Sequence, residues 1–315
     1  MDKDKKNLAF LIAGMKKEYK KGRNVMAWAR SHSLVEDSTQ ITLIAYDLQA
    51  GTYVKFAEKN SLFQKAWGNQ LAELLNPFIS KGDKILEVGV GEATTLAEVL
   101  DAIHVREIES YGFDLSWSRI SIAQKWIQRK SQKTRLFVGD LFSIPLADQS
   151  VDIVYTSHSL EPNGGKERIA IKELMRIAKK AVVLVEPIYE LASKKAKNRM
   201  LKLNYIKSLY SSAEALGAKI KDYKLLKIND HPLNPSGVIS IIKPKGKNRK
   251  ISNIWECPIT GTPLVENKNF YFSPKAGIAY PVLMGVPLLR PQHAIIASKI
   301  NSKIQATNKS VRTLQ

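Results

Sequence analysis

Two glycines and four acids in this chain stand at spacings that suit the binding of a nucleoside. The run Lys84-Ile85-Leu86-Glu87-Val88 is apolar but for one acid near its end, and Gly89-Val90-Gly91 follows before an amphipathic stretch opens at Ala93. Glycines at such a bend let the backbone approach a ligand closely, and the helix start behind them supplies N–H donors. Glu87 lies two residues before the first glycine, and Asp114 ends the next apolar run, 23 residues after Gly91. An acid at that point is placed to accept both ribose hydroxyls. Asp140 follows a third apolar run, and Glu92 follows the second glycine. Each acid also has a plainer reading: Glu87 and Glu92 as partners of a helix dipole, Asp114 and Asp140 as turn caps. Taken together, four acids at the C-terminal ends of the strands of one parallel sheet favour a ligand crevice.

The elements that must position these groups follow from periodicity. From residue 81, short apolar runs alternate with amphipathic stretches: strands at Lys84–Val88, Ser110–Phe113, Thr134–Val138, Val151–Thr156 and Ala181–Glu186, helices at Ala93–Ile103, Ser118–Lys130 and Gly165–Ala178. Such alternation specifies a parallel sheet covered by helices. A long basic helical stretch then runs from Pro187 to about Leu216. Two more strand-like runs, Ala218–Lys227 and Gly237–Lys243, form a terminal antiparallel hairpin. The expected fold is α/β, a Rossmann-like doubly wound sheet of seven strands with the last antiparallel. Residues 1–80 read as a helical preface, 81–246 as the core and 254–292 as a small β-rich unit rich in turn residues. Residues 293–315 start helix-like and end as a basic tail, and Lys245–Lys250 reads as a linker.

The order of the motifs resembles that of class I S-adenosylmethionine-dependent methyltransferases of the small-molecule type. Glu-x-Gly-x-Gly-x-Ala, residues 87–93, resembles their first motif, with Ala93 in place of the common third glycine. Val138-Gly139-Asp140-Leu141, the run Ile144–Val154 and Tyr155-Thr156-Ser157-His158-Ser159-Leu160-Glu161 continue the likeness over about residues 80–243. The resemblance implies that S-adenosylmethionine is the cofactor and assigns roles to residues. Glu87 would hold the methionyl ammonium, directly or through water, and Gly89 and Gly91 would pass beneath the methionine part. Asp114 would take the ribose, with Leu115 beside the adenine. Asp140 would accept from the adenine amino group, with Leu141 next to it, and Ser157 and His158 would lie near the sulfonium. An alcohol acceptor asks for one base, with His158 the first candidate and Glu161 the second. The preface would supply a lid, with Tyr46, Tyr53 and Trp67 as its aromatic residues.

A second resemblance concerns Glu256–Leu264, Gly277–Val282 and Gly285–Leu289, which look like the small zinc-ribbon-like modules that accompany some methyltransferases. Thr260 occupies the place of the second knuckle cysteine and Cys257 is the single cysteine of the chain, so the module is expected to hold no metal and to brace the core.

Composition limits the rest. The chain has 315 residues, 44% of them hydrophobic, enough for a substantial core. One cysteine forms no internal disulfide, and no stretch approaches the length of a membrane span, so a cytoplasmic setting is expected. The net charge of +20 is uneven: residues 81–192 carry 15 basic against 16 acidic side chains, while residues 194–250 carry 15 against 3. A neutral core with basic appendages allows a nucleic-acid partner, and RNA is the alternative acceptor. The leading acceptor is a small molecule or glycan, methylated on a hydroxyl. A catalytically idle cofactor-binding partner protein is the third reading, and the oligomeric state stays open.

Overall fold

The computed structural model describes residues 3–32, 38–229, 231–244, 251 and 253–300. Five helices come first: α1 (Lys3–Lys20), α2 (Val25–His32), α3 (Ser38–Leu48), α4 (Thr52–Lys59) and α5 (Ser61–Leu75). Strands and helices then alternate as β1 (Lys84–Val88), α6 (Thr94–Ala102), β2 (Glu109–Asp114), α7 (Trp117–Arg129), β3 (Arg135–Val138), β4 (Val151–Ser157), α8 (Glu167–Ile177) and β5 (Ala178–Pro187). Next come α9 (Lys194–Leu203), α10 (Leu209–Ala215), β6 (Lys219–Leu225) and β7 (Ser236–Ile242).

The seven strands form one sheet in the order β3-β2-β1-β4-β5-β7-β6. Strands β1 to β5 pair in parallel, while β7 runs antiparallel between β5 and β6. Buried on both faces, the central strands are continuous apolar runs, as parallel strands must be. One face, with Leu86, Val88 and Val154, packs on α8 and α10. The other, with Ile85, Ile153 and Tyr155, packs on the aliphatic sides of α5, α6 and α7. In α8, Ala170, Ile171, Leu174 and Ile177 make the buried stripe, the spacing of an amphipathic helix. Strand order reverses between β1 and β4, and ligands of open α/β sheets bind outside the carboxyl ends of the strands at such a point. The Gly89–Gly91 turn and Ser157–His158 both lie there.

The basic stretch expected as one helix is two. It breaks at Asn204, whose left-handed conformation (φ 55°) caps α9, and α10 starts five residues later. The preface likewise holds two short helices, α2 and α4, that periodicity alone did not separate. Lys245–Lys250, the expected linker, and the basic tail 301–315 lie outside the described residues.

The C-terminal unit is a small sheet of β8 (Val265–Glu266), β9 (Phe270–Ser273), β10 (Ile278–Leu283), β11 (Val286–Pro287) and β12 (Ile295–Ile296). The helix expected from His293 is absent there: Pro291–His293 is a single 3-10 turn, and the chain then pairs as β12 with β10. The unit docks on the free edge of the seven-stranded sheet. Leu288 bridges Val138 in parallel, and Leu289 N–H donates to Val138 O at 2.8 Å. Ala147 N–H donates to Ile254 O at 2.8 Å and Glu256 N–H to Pro145 O at 3.0 Å. Trp255 fills the joint, its ring centroid 5.2 Å from that of Phe137 and 5.3 Å from that of Tyr271. An edge strand left open presents unpaired backbone groups, and here the chain's own C-terminal unit pairs with the end of that edge at Val138. Where a metal knuckle would have its ligands, Cys257 Sγ lies 3.2 Å from Tyr280 Oη, and Thr260, Thr262 and Ser273 share a chain of hydroxyl hydrogen bonds.

Candidate functional site

The turn after β1 is built on left-handed backbone. Gly89 (φ 69°) and Gly91 (φ 55°) adopt conformations that L side chains rarely take. A Cβ on Gly89 would also sit 2.3 Å from Ser159 Cβ, so only glycine fits. Ala93 takes the same left-handed conformation at φ 58°, with its methyl fully buried at the start of α6. The third position of the motif thus keeps the backbone shape of a glycine and bears the strain of a side chain, on the order of 1 kcal/mol.

A cleft of about 930 Å³ opens above this turn. Gly89, Gly91, Asp114, Leu115, Asp140, Leu141, Ser157, His158 and Glu161 all line it, so the structure brings together nine of the ten expected site residues. Glu87 is the exception. Strand side chains alternate between faces, and Glu87 points with Ile85 into the layer beneath, where its carboxylate accepts from Tyr155 Oη–H at 2.8 Å and is 2% exposed. Burial pushes its pKa up to about 8. Direct contact with a ligand ammonium is therefore not part of this geometry.

Asp114 Oδ2 accepts Gly91 N–H at 3.2 Å and Oδ1 accepts Ser116 N–H at 2.9 Å. The first bond ties β2 to the glycine turn, and burial raises the carboxyl above its ordinary range. Asp140 accepts Phe142 N–H at 2.9 Å, the turn cap anticipated for it, and still lines the cleft. Each carboxylate oxygen has two lone pairs, so both acids retain acceptor capacity.

At the other end, a chain of hydrogen bonds crosses the floor. Glu161 Oε2 meets His158 Nδ1 at 3.1 Å, and His158 Nε2 meets Ser236 Oγ at 2.7 Å. Burial alone would raise Glu161, yet bonds from His158, Tyr205 and Asn234 hold it below the usual carboxylate range. An ionised Glu161 is an acceptor for an Nδ1–H, and in the neutral imidazole with that tautomer Nε2 would accept from the Ser236 hydroxyl. Ser236 does not line the cleft; it reaches His158 because β7 is inserted antiparallel beside β5, pairing Ser236 with Pro187. Trp67 closes the other side, with Nε1–H donating to Ser157 Oγ at 3.3 Å and its ring edge-on to His158 at 5.8 Å.

Glu186, at the end of β5, holds the loop carrying these groups. Its carboxylate accepts the backbone N–H groups of Ser159, Leu160 and Glu161 at 3.0–3.2 Å. Burial raises it to about 7. The sequence signal for it was a single acid closing the apolar run Val182–Val185. Ser236, Asn234 and Arg119 were also missed; nothing local marks them, because the sheet order alone brings Ser236 and Asn234 near His158.

Helices α2 to α5 contribute one wall of the cleft, with Tyr46, Tyr53, Phe56, Phe63 and Trp67 among its lining residues. Arg119, from α7, is 2% exposed in the wall, with Nη2 lacking any partner. Ser159 Oγ is buried without a partner as well.

Residues 85–181, from within β1 into β5, match the family described as methyltransferase domain. Over these residues the chain is similar to methyltransferase domains. The cofactor is S-adenosylmethionine, and the cleft fits that group: the acids Asp114 and Asp140 at strand ends, each followed by an apolar leucine, a glycine turn that a Cβ would block, and two buried polar atoms without partners. The domain resembles solved structures at low identity. YcgJ from Bacillus subtilis is 16% identical, with 56% of this chain and 99% of that chain covered and a TM-score of 0.45. A SAM dependent methyltransferase from Aquifex aeolicus is 15% identical over 54% and 87%, TM-score 0.40. Magnesium protoporphyrin IX methyltransferase from Synechocystis PCC 6803, solved with SAH bound, is 12% identical over 69% and 93%, TM-score 0.42. No curated protein matches the chain. Among the described residues no helix is long and apolar enough to cross a membrane.

Proposed function

We propose that this methyltransferase acts on a hydroxyl of a small-molecule or glycan acceptor enclosed in the same cleft. The observation that carries the reading is the continuity of the cavity. One space of about 930 Å³ runs from Gly89, Asp114 and Asp140 to His158, Tyr205 and Arg199 under the aromatic lid. That volume is at the upper end for small-molecule sites, room for a nucleoside cofactor and a modest acceptor together. Lys166 and Arg199, both half-buried at the acceptor end, favour an acceptor bearing a carboxylate or phosphate.

S-adenosylmethionine supplies an activated methyl group, so the protein's work is alignment and one proton. Asp114 and Asp140 hold the nucleoside. Glu161 keeps the proton of His158 on Nδ1. His158 takes the acceptor's proton on Nε2 as the methyl group arrives, once its ring has turned from the buried Ser236 hydroxyl toward the cleft. Trp67 and the lid exclude water from the junction. Glu87 acts through the strand layer beneath the turn or through a water. We read the C-terminal unit as a metal-free, zinc-ribbon-like brace of the sheet edge, and the free thiol Cys257 fits a reducing, cytoplasmic setting.

Calorimetry with S-adenosylhomocysteine, with and without RNA at two salt concentrations, tests the reading. Micromolar binding indifferent to RNA is expected, followed by methyl transfer to anionic small hydroxyl compounds in a labelled-methyl screen. Binding that strengthens with RNA and weakens steeply with salt would instead make the exposed basic face of α9 the acceptor platform.

A further inference from the structure

Arg119 is a cation whose surroundings are one acceptor short. It is 2% exposed, its Nε–H donates to Tyr46 O at 3.0 Å, and its guanidinium lies over the rings of Tyr53, 4.4 Å to the centroid, and Tyr46, 5.0 Å. Nη2 is buried with no hydrogen-bond partner. A guanidinium keeps its charge and offers five N–H donors in a fixed fork, so a buried nitrogen without an acceptor is costly unless a ligand provides one. The Asp114 carboxylate is a charge neighbour of the guanidinium but spends one lone pair of each oxygen on Gly91 and Ser116 N–H, and Asp47 Oδ1 accepts Ser116 Oγ–H at 2.9 Å, so neither acid is the hydrogen-bond partner of Nη2. Two aromatic faces leave the edge of the fork as the direction from which an anion can approach.

The place of that edge says which anion. Nη1 lies 3.5 Å from the point where a Cβ on Gly91 would stand, at the second glycine of the turn along which the amino-acid part of the cofactor passes. We propose that Arg119 is the carboxylate-binding residue of the cofactor site, pairing with the carboxylate of the methionyl part. The inference rests on the S-adenosylmethionine reading. It also explains why a charged residue occupies a buried position on α7 facing two lid tyrosines: carboxylate, guanidinium and rings would complete one stack joining cofactor and lid.

The test compares two ligands by calorimetry. S-adenosylhomocysteine carries the carboxylate, whereas 5′-methylthioadenosine keeps the nucleoside and thioether but lacks the amino-acid part. Arg119→Met should weaken S-adenosylhomocysteine binding by 10- to 100-fold, about 1.4 to 2.8 kcal/mol, and change methylthioadenosine affinity by less than about threefold, the range of a lost charge-assisted contact confined to one group. Arg119→Lys should recover part of the loss. Retained methylthioadenosine binding shows that the variant is folded. Equal loss of both ligands, or unchanged S-adenosylhomocysteine affinity as when the anion belongs to the acceptor, overturns the proposal while leaving the cofactor reading in place. A wild-type protein that binds neither ligand overturns both.

Discussion

Glu92 Oε2 accepts the backbone N–H of Val54 at 2.7 Å, across 38 residues of sequence. Its other oxygen accepts Gly51 N–H at 2.8 Å. The residue after the glycine turn thus caps α4, and one fully buried carboxylate joins that turn to a helix of the cleft wall. A negative group at a helix N-terminus is favourable both for its hydrogen bonds and for the helix dipole.

Glu92→Ala should therefore loosen the lid before it unfolds the core. Two charge-assisted bonds are lost, a cost on the order of 3 kcal/mol. Hydrogen exchange of the amides of Gly51–Lys59 should accelerate strongly, with those of β1 and β4 unchanged, and acceptor affinity should fall. Unaltered exchange in α4 would show that packing alone holds the lid.

His158→Ala should keep S-adenosylhomocysteine affinity within a few-fold and lower turnover by roughly 10². Ser236→Ala removes the hydroxyl that occupies Nε2 and should leave turnover within a few-fold. If His158→Ala transfers methyl groups at the wild-type rate, the histidine only braces the loop after β4.

Glu87 should make stability pH-dependent. Its pKa rises from 4.5 to about 8 on burial, so the folded chain binds a proton that the unfolded chain releases between these values. Stability from this group is full below pH 4.5 and is lost as pH rises through 8. Glu87→Gln should flatten the decline of melting temperature between pH 5 and 8. An identical slope in the variant would refute the assignment.

Trp255→Ala tests the brace. The indole is 4% exposed between Phe137 of β3 and Tyr271 of β9, and truncation of such a buried aromatic costs about 3–5 kcal/mol. A single, lower thermal transition is expected, since core and C-terminal unit share one apolar cluster. Two separate transitions would mean that the unit folds independently.

Much of this was legible in the chain itself. The five parallel strands appear as apolar runs because both their faces are buried, and β1 was read to the residue. Offsets from strand ends put Asp114, Asp140 and the two glycines at one end of a parallel sheet, and all four line the cleft there. Glu92 does sit at a helix N-terminus, the plainer reading of it, but the helix is α4, 38 residues earlier in the chain, which no local pattern names. Glu87 could not be placed, because a one-residue step along a strand exchanges the cleft side for the buried face.

The sequence by itself determined the order of strands and helices, the glycine turn and the acids at its rim, because those depend on periodicity and local backbone geometry. Only the tertiary structure decided which groups meet. Ser236 touches His158 because β7 inserts between β5 and β6, Arg119 faces Tyr46 and Tyr53 because the lid folds back over α7, and Trp255 seals β3 because the C-terminal unit covers an open edge. Contacts between residues far apart along the chain arise from chain topology and the burial of apolar faces against each other, and no local pattern encodes them.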